Sequence, residues 1–148
     1  MRINVSTPIA ASPAAVWNYV EDISTHVEWM ADAESITFTT DHHAGVGTSF
    51  VCVTKVGPIT LRDVMTVTEW EAGAVMGIRH QGLVTGSGRF TLLPAGGGTA
   101  FTWNEELRFP WWMGGPLAAV VAKPILSAIW RGNLRRLRAH CEEAARDV

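Results

Sequence analysis

Two periods of hydrophobic and polar residues alternate along this chain, and the places where one gives way to the other mark its elements. The longest helical pattern lies at residues 116–146. Leu117, Val120, Val121, Leu126, Trp130, Leu134, Leu137 and Cys141 recur there mostly at steps of three or four, one face of a helix. Gly114 and Gly115 precede it, and Pro116 suits a first helical position, where no N–H is needed. Such a helix is roughly 45 Å long, and Pro124 inside it should kink it. Arg131, Arg135 and Arg138 follow the opposite face, and Arg138 stands one turn before Glu142. One side therefore reads as buried and the other as wet.

Before that helix the period is mostly two. Residues 2–11 predict a strand, with Ile3, Val5 and Ile9 near alternation. Ser12 then offers an N-cap ahead of Pro13, and Val16, Trp17 and Val20 make a short amphipathic helix. Asp22 and Ser24 are caps for a second short helix carrying Val27, Trp29 and Met30. Neither helix is long enough to stand alone, so both must dock on something larger. Further strands are predicted at 36–39, 49–56, 59–70, 75–84, 87–93 and 99–109, with turns between them. That spacing predicts an antiparallel meander.

The two strand faces differ. One parity carries Ile59, Leu61, Met65, Val67, Met76, Ile78, Phe90, Leu92, Phe101, Trp103, Leu107 and Phe109. The other carries Arg62, Arg79, Arg89 and Arg108, and a one-residue slip would turn each of them inward. Trp70 breaks the rule at a strand end, where a bulge would turn it. A sheet of six or seven strands is roughly 30 Å wide, but a helix with its side chains is only ~10–12 Å across. The sheet must curl around the helix, with the short helices closing one end. Gly82, Gly86 and Gly88 fall on the inner parity, where a missing side chain permits bending or close approach. A curled sheet gripping one helix leaves interior space.

Composition narrows the use of that space. With 148 residues, 47% hydrophobic and 18% charged, the chain reads as one globular domain over 1–148. A net charge of −2 gives no support for a nucleic-acid partner. No apolar run is long enough to predict a membrane-spanning helix, and the N-terminus lacks a signal-peptide pattern. Cys52 and Cys141 read as buried thiols of a cytoplasmic protein, although sequence leaves a disulfide between them open. His42 and His43 have no third ligand at metal spacing, so no metal site is expected. Neither a nucleotide fingerprint nor a Gly-x-Ser-x-Gly elbow occurs, and no cofactor is expected.

Several short stretches follow one another in a familiar order: Ser12-Pro13-Ala14-Ala15-Val16-Trp17, Asp22-Ile23, Trp29-Met30, Gly45-Val46-Gly47-Thr48, Val67-Thr68-Glu69-Trp70 and Gly98-Thr99-Ala100-Phe101-Thr102-Trp103. Over nearly its whole length the chain resembles the SRPBCC superfamily, and its polyketide cyclase/dehydrase-like branch in particular. That superfamily also holds START lipid-transfer domains and plant pollen-allergen-like proteins. The resemblance implies an α+β helix-grip fold, a curved antiparallel sheet wrapped around the C-terminal helix. It also implies an apolar cavity for lipids, polyketides, sterols or other hydrophobic molecules. Some members catalyse and many only bind, so no substrate is specified.

Three residues contradict the inner parity: Asp63, His80 and Glu105. Buried polar groups must be paired or shift their pKa. In a cavity they suit general acid–base work, with a carboxyl raised toward neutrality and an imidazole titrating near physiological pH. Polyketide ring closure and dehydration call for such a base and such a donor. The competing reading is a structural polar network, or strand-end residues reaching solvent. Around them the sheet is expected to supply Met65, Ile78, Phe90, Trp103 and Leu107 to a ligand. The loop before the helix would supply Trp112 and Met113, and the helix Leu117, Val121 and Trp130. The stretch Phe109-Pro110-Trp111-Trp112-Met113-Gly114-Gly115 reads as a mobile lid, as a transient contact with a membrane, or as packing that fixes how the helix starts. The function expected is binding or transport of a hydrophobic small molecule. The alternatives are a polyketide cyclase/dehydratase-type enzyme acting through Asp63, His80 and Glu105, and an interaction module built on the tryptophan loop.

Overall fold

The computed structural model describes residues 1–147. Strand β1 (Arg2–Ile9) leads to helix α1 (Pro13–Val20), a 3-10 turn (Ile23–Thr25) and helix α2 (His26–Trp29). Strands β2 (Ala33–Phe38), β3 (Ser49–Val56), β4 (Ile59–Glu71), β5 (Val75–Gln81), β6 (Thr85–Ala95) and β7 (Gly98–Arg108) follow. A second 3-10 turn (Trp111–Met113) then precedes helix α3 (Pro116–Arg146). All neighbouring strands pair antiparallel in the order β1-β7-β6-β5-β4-β3-β2, so β1 and β2 are the edges of a seven-stranded sheet. Pro8, which cannot donate to a ladder, sits in edge strand β1.

The register sets the inner face that alternation predicts. Val67, Met76, Phe90, Leu92, Phe101 and Trp103 are buried, while Arg62, Arg79, Arg89 and Arg108 are exposed. A register shift between Val67 and Glu69 turns Trp70 inward, where it meets Trp17 edge-on with ring centroids 5.2 Å apart. Strand β5 ends at Gln81, short of the predicted 84, because Gly82 and Leu83 already turn toward β6. In α1 the Ser12 side chain accepts the Ala15 N–H at 3.2 Å, as an N-cap should. Helix α2 buries Trp29 and packs Met30 against the core as expected, but it also buries His26 and exposes Val27. With four residues it has too few positions to display a period.

Helix α3 is half of what its pattern predicts. Its C-terminal half buries Trp130, Leu134, Leu137 and Cys141 and packs on β1, α1 and α2. Its N-terminal half does not bury the predicted stripe: Leu117 is 76% exposed, Val120 71% and Val121 64%. The helix runs on through Pro124, which is itself exposed. Polar contacts tie the buried half to both sides of the sheet. Near β1, the Ala10 N–H donates to the Glu142 carboxylate at 2.8 Å, and Arg138 pairs with the same carboxylate at 3.1 Å. Beside the start of β2, buried Asn133 accepts the Ala31 N–H at 3.0 Å and donates its amide to Asp32 at 2.7 Å. Arg136 also donates to the Asn133 oxygen at 2.6 Å. Cys52 and Cys141 are buried, free thiols.

Candidate functional site: an apolar cavity with a polar cluster

Where the N-terminal half of α3 passes over the inner face of the sheet, a cavity of about 420 Å³ remains between them. One wall is aromatic. Trp103 stacks on Trp130 with centroids 4.7 Å apart and planes 19° from parallel. Phe90 meets Trp103 edge-on at 5.4 Å, and Trp29 lies within 6.0 Å of both. Trp130 is steered by its indole N–H, which donates to Asp32 at 3.4 Å.

The three inner-parity polar residues all line this cavity, and each is opposed by a glycine. His80 pairs with Gly86 and Glu105 with Gly88 across the ladder, and Asp63 lies against Gly82. A Cβ at Gly88 would stand 2.2 Å from the Glu105 carboxylate, and one at Gly82 would stand 2.0 Å from Asp63 Oδ1. Gly86 has φ +152°, and a Cβ there would strike the Glu106 carbonyl at 1.8 Å. At Gly82 and Gly88 the absent side chain leaves room for a carboxylate that a packed sheet face would exclude, and at Gly86 it lets the β7 backbone approach.

Bonding within the cluster is asymmetric. His80 Nε2 lies 3.0 Å and 3.3 Å from the two Glu105 oxygens, and the Trp103 indole N–H donates to Glu105 Oε1 at 2.9 Å. Whenever His80 is neutral, the Glu105 carboxylate keeps its remaining proton on Nε2 and leaves Nδ1 able to accept. Asp63 Oδ1 is buried without a hydrogen-bond partner among the described residues. Burial raises the Asp63 carboxyl pKa, and the nearby His80 only partly offsets this. Burial also pulls His80 down. The hydrogen bond and charge of Glu105, together with Asp63, outweigh it and hold the imidazole above its ordinary value. In an otherwise apolar space the cluster offers a ligand oxygen both a proton donor and an acceptor.

Of the residues expected around a ligand, Met65, Ile78, Phe90, Trp103 and Leu107 line the cavity from the sheet. Met113, Val121 and Trp130 line it from the loop and helix. Trp112 and Leu117 do not, since both point to solvent. In that loop Trp111 and Trp112 are exposed, while Phe109 packs against the core. Sequence reasoning missed His26, Met30, Phe50 and Met76 on the cavity wall. Phe50 and Met76 were within reach, since strand alternation places both on the inner face. His26 was not, because its helix is too short to show a face. Its Nε2 lies 2.9 Å from the Val20 carbonyl, and burial drives its pKa down to about 4.

This curved sheet, gripping one long helix around an interior space with short helices after the first strand, is the helix-grip fold of the SRPBCC superfamily. Within it the chain belongs to the polyketide cyclase/dehydrase and lipid transport family, whose profile matches residues 1–142. Among curated proteins none matches the sequence. A solved protein of Thermus thermophilus is similar at a TM-score of 0.84 and 17% identity, over 97% of this chain and 99% of that one. The Zhui aromatase/cyclase of a Streptomyces strain gives 0.74 and 14%, over 98% and 95%. Ara h 8.0201 gives 0.69 and 12%, over 95% and 97%. At such identities the likeness speaks for the fold alone.

Proposed function

We propose that this protein binds a hydrophobic small molecule, a lipid or a polyketide in class, between the sheet and α3. The observation that carries the reading is the apolar-walled cavity of about 420 Å³. Protein interiors are normally close-packed, and wall atoms facing a void lose their dispersion contacts. Its volume suits a small-molecule site, and an oily guest would restore the contacts and leave water as it does so. The test is native mass spectrometry of protein purified without stripping, together with melting curves against fatty acids and aromatic polyketides. A retained lipophilic mass and a ligand-dependent rise in Tm are expected. An empty protein whose melting no such compound shifts would overturn the reading.

A second reading, acid–base catalysis on the bound molecule, is favoured by the His80–Glu105 pair beside the unpartnered Asp63 oxygen. In a ring closure, His80 Nδ1 would take a proton from carbon beside a carbonyl. The enolate carbon would bond to a second carbonyl carbon, and the new alkoxide would take a proton from protonated His80 or neutral Asp63. His80→Ala and Glu105→Gln should then abolish turnover while binding persists. Unchanged turnover and affinity in both variants would leave the cluster structural.

A further inference from the structure

Most of the exposed large apolar residues gather at one end; Val27, Val46, Val64 and Leu93 lie elsewhere. Antiparallel pairing brings the β3–β4 turn, the β5–β6 turn, the exit of β7 and the start of α3 to the same end of the sheet. Ile59 and Leu83 on the two turns are exposed there. Trp111 is 86% exposed and Trp112 62%. Along α3, Leu117, Val120, Val121, Pro124, Ile125 and Ala128 recur at steps of three and four and all face outward. This is an apolar helix stripe left open to solvent among the described residues.

The charge around that stripe is one-sided. No acidic residue occurs in residues 55–62, 72–104 or 107–141, the segments that carry these apolar groups. Their charged residues include Lys55, Arg62, Arg108, Lys123 and Arg131, all exposed, in a chain whose net charge is −2. Glu106, exposed at the end of β7, shares a cleft with Arg2, Lys123 and Arg131, which outnumber it. Glu34 is the exposed acid at the start of β2. The stripe is also continuous with the cavity, because Val121 and Ile125 both face solvent and line the interior.

We infer that this end of the molecule docks on an anionic lipid bilayer. Indole rings favour the headgroup level, aliphatic side chains the layer beneath it, and lysine and arginine reach back to phosphates. That order matches the tryptophan pair, the α3 stripe and the basic rim. Docked so, the cavity mouth would face hydrocarbon, and a guest could pass without crossing water. The inference rests on the ligand-binding reading above, but its test is separate.

Co-sedimentation with vesicles of phosphatidylcholine, and of an equal mixture with phosphatidylglycerol, reads the docking directly. The intact protein should bind the anionic vesicles, less at high salt, and bind phosphatidylcholine weakly. Replacing Trp111, Trp112 and Leu117 with serine should lower that partition about tenfold with an unchanged circular dichroism spectrum. Lys123→Glu with Arg108→Glu should remove the preference for anionic vesicles. No binding at low salt, or serine-variant binding equal to that of the intact protein, would overturn the inference. So would a dimer in light scattering that the serine variant splits, since the face would then belong to a second copy. Native mass spectrometry separates the two readings. A guest retained without vesicle binding removes only the docking, and vesicle binding by a guest-free protein removes only the ligand reading.

Discussion

An imidazole moved into an apolar cavity gives up its proton unless a counter-charge is held against it. His80 keeps its proton longer than burial alone would allow because Glu105 is 3.0 Å away and Asp63 adds charge nearby. The folded pKa is raised, so the stabilisation is complete below the ordinary value and is lost as pH rises through the folded one. Glu105→Gln should therefore lower the His80 pKa, which NMR titration of its ring protons would follow. The same substitution should cost about 1–3 kcal/mol in urea unfolding, as loss of a hydrogen bond to a charged group. An unmoved titration would remove the electrostatic account. Strand parity made all three polar residues legible in the sequence. Their pairing was not, because His80 lies on β5 and Glu105 on β7, and the two meet across β6. Only the register shows that the intervening residues are glycines.

Helix α3 shows what periodicity can and cannot say. Its bounds were legible from Pro116 and the long apolar repeat, and its observed range agrees. Its burial was not, because an amphipathic pattern states that a face is apolar, not that something covers it. Asn133 was hidden too: its partners Ala31 and Asp32 lie about a hundred residues away. Asn133→Ala would leave the Ala31 N–H and the Asp32 carboxylate short of partners. We expect a loss of about 2–4 kcal/mol in urea unfolding, with faster hydrogen exchange at the start of β2. A loss below about 0.5 kcal/mol, the usual surface value, would mean that this junction does not hold the helix.

At the scale of the whole molecule, a rod too thin for its trough predicted the interior space, and the structure contains it. Part of the pH behaviour of the fold was not legible, because it comes from His26. Its folded pKa of about 4 lies below the ordinary 6.5, so the unfolded chain takes up the proton first as pH falls. Stability should drop by about 3 kcal/mol from this group across that window. Raised values at Asp63 and His80 act in the opposite sense. The difference between the intact protein and His26→Gln, which keeps a donor for the Val20 carbonyl, isolates the effect. Melting temperatures from pH 7 to 4 should fall less steeply in the variant, and parallel curves would refute the assignment. The glycines facing Asp63 and Glu105 carry a consequence for descent. A lineage that enlarged Gly82 or Gly88 first would evict the carboxylate opposite, so the chemical character of this interior is inherited in couples. Changing it safely means that the charged member yields before its small neighbour grows.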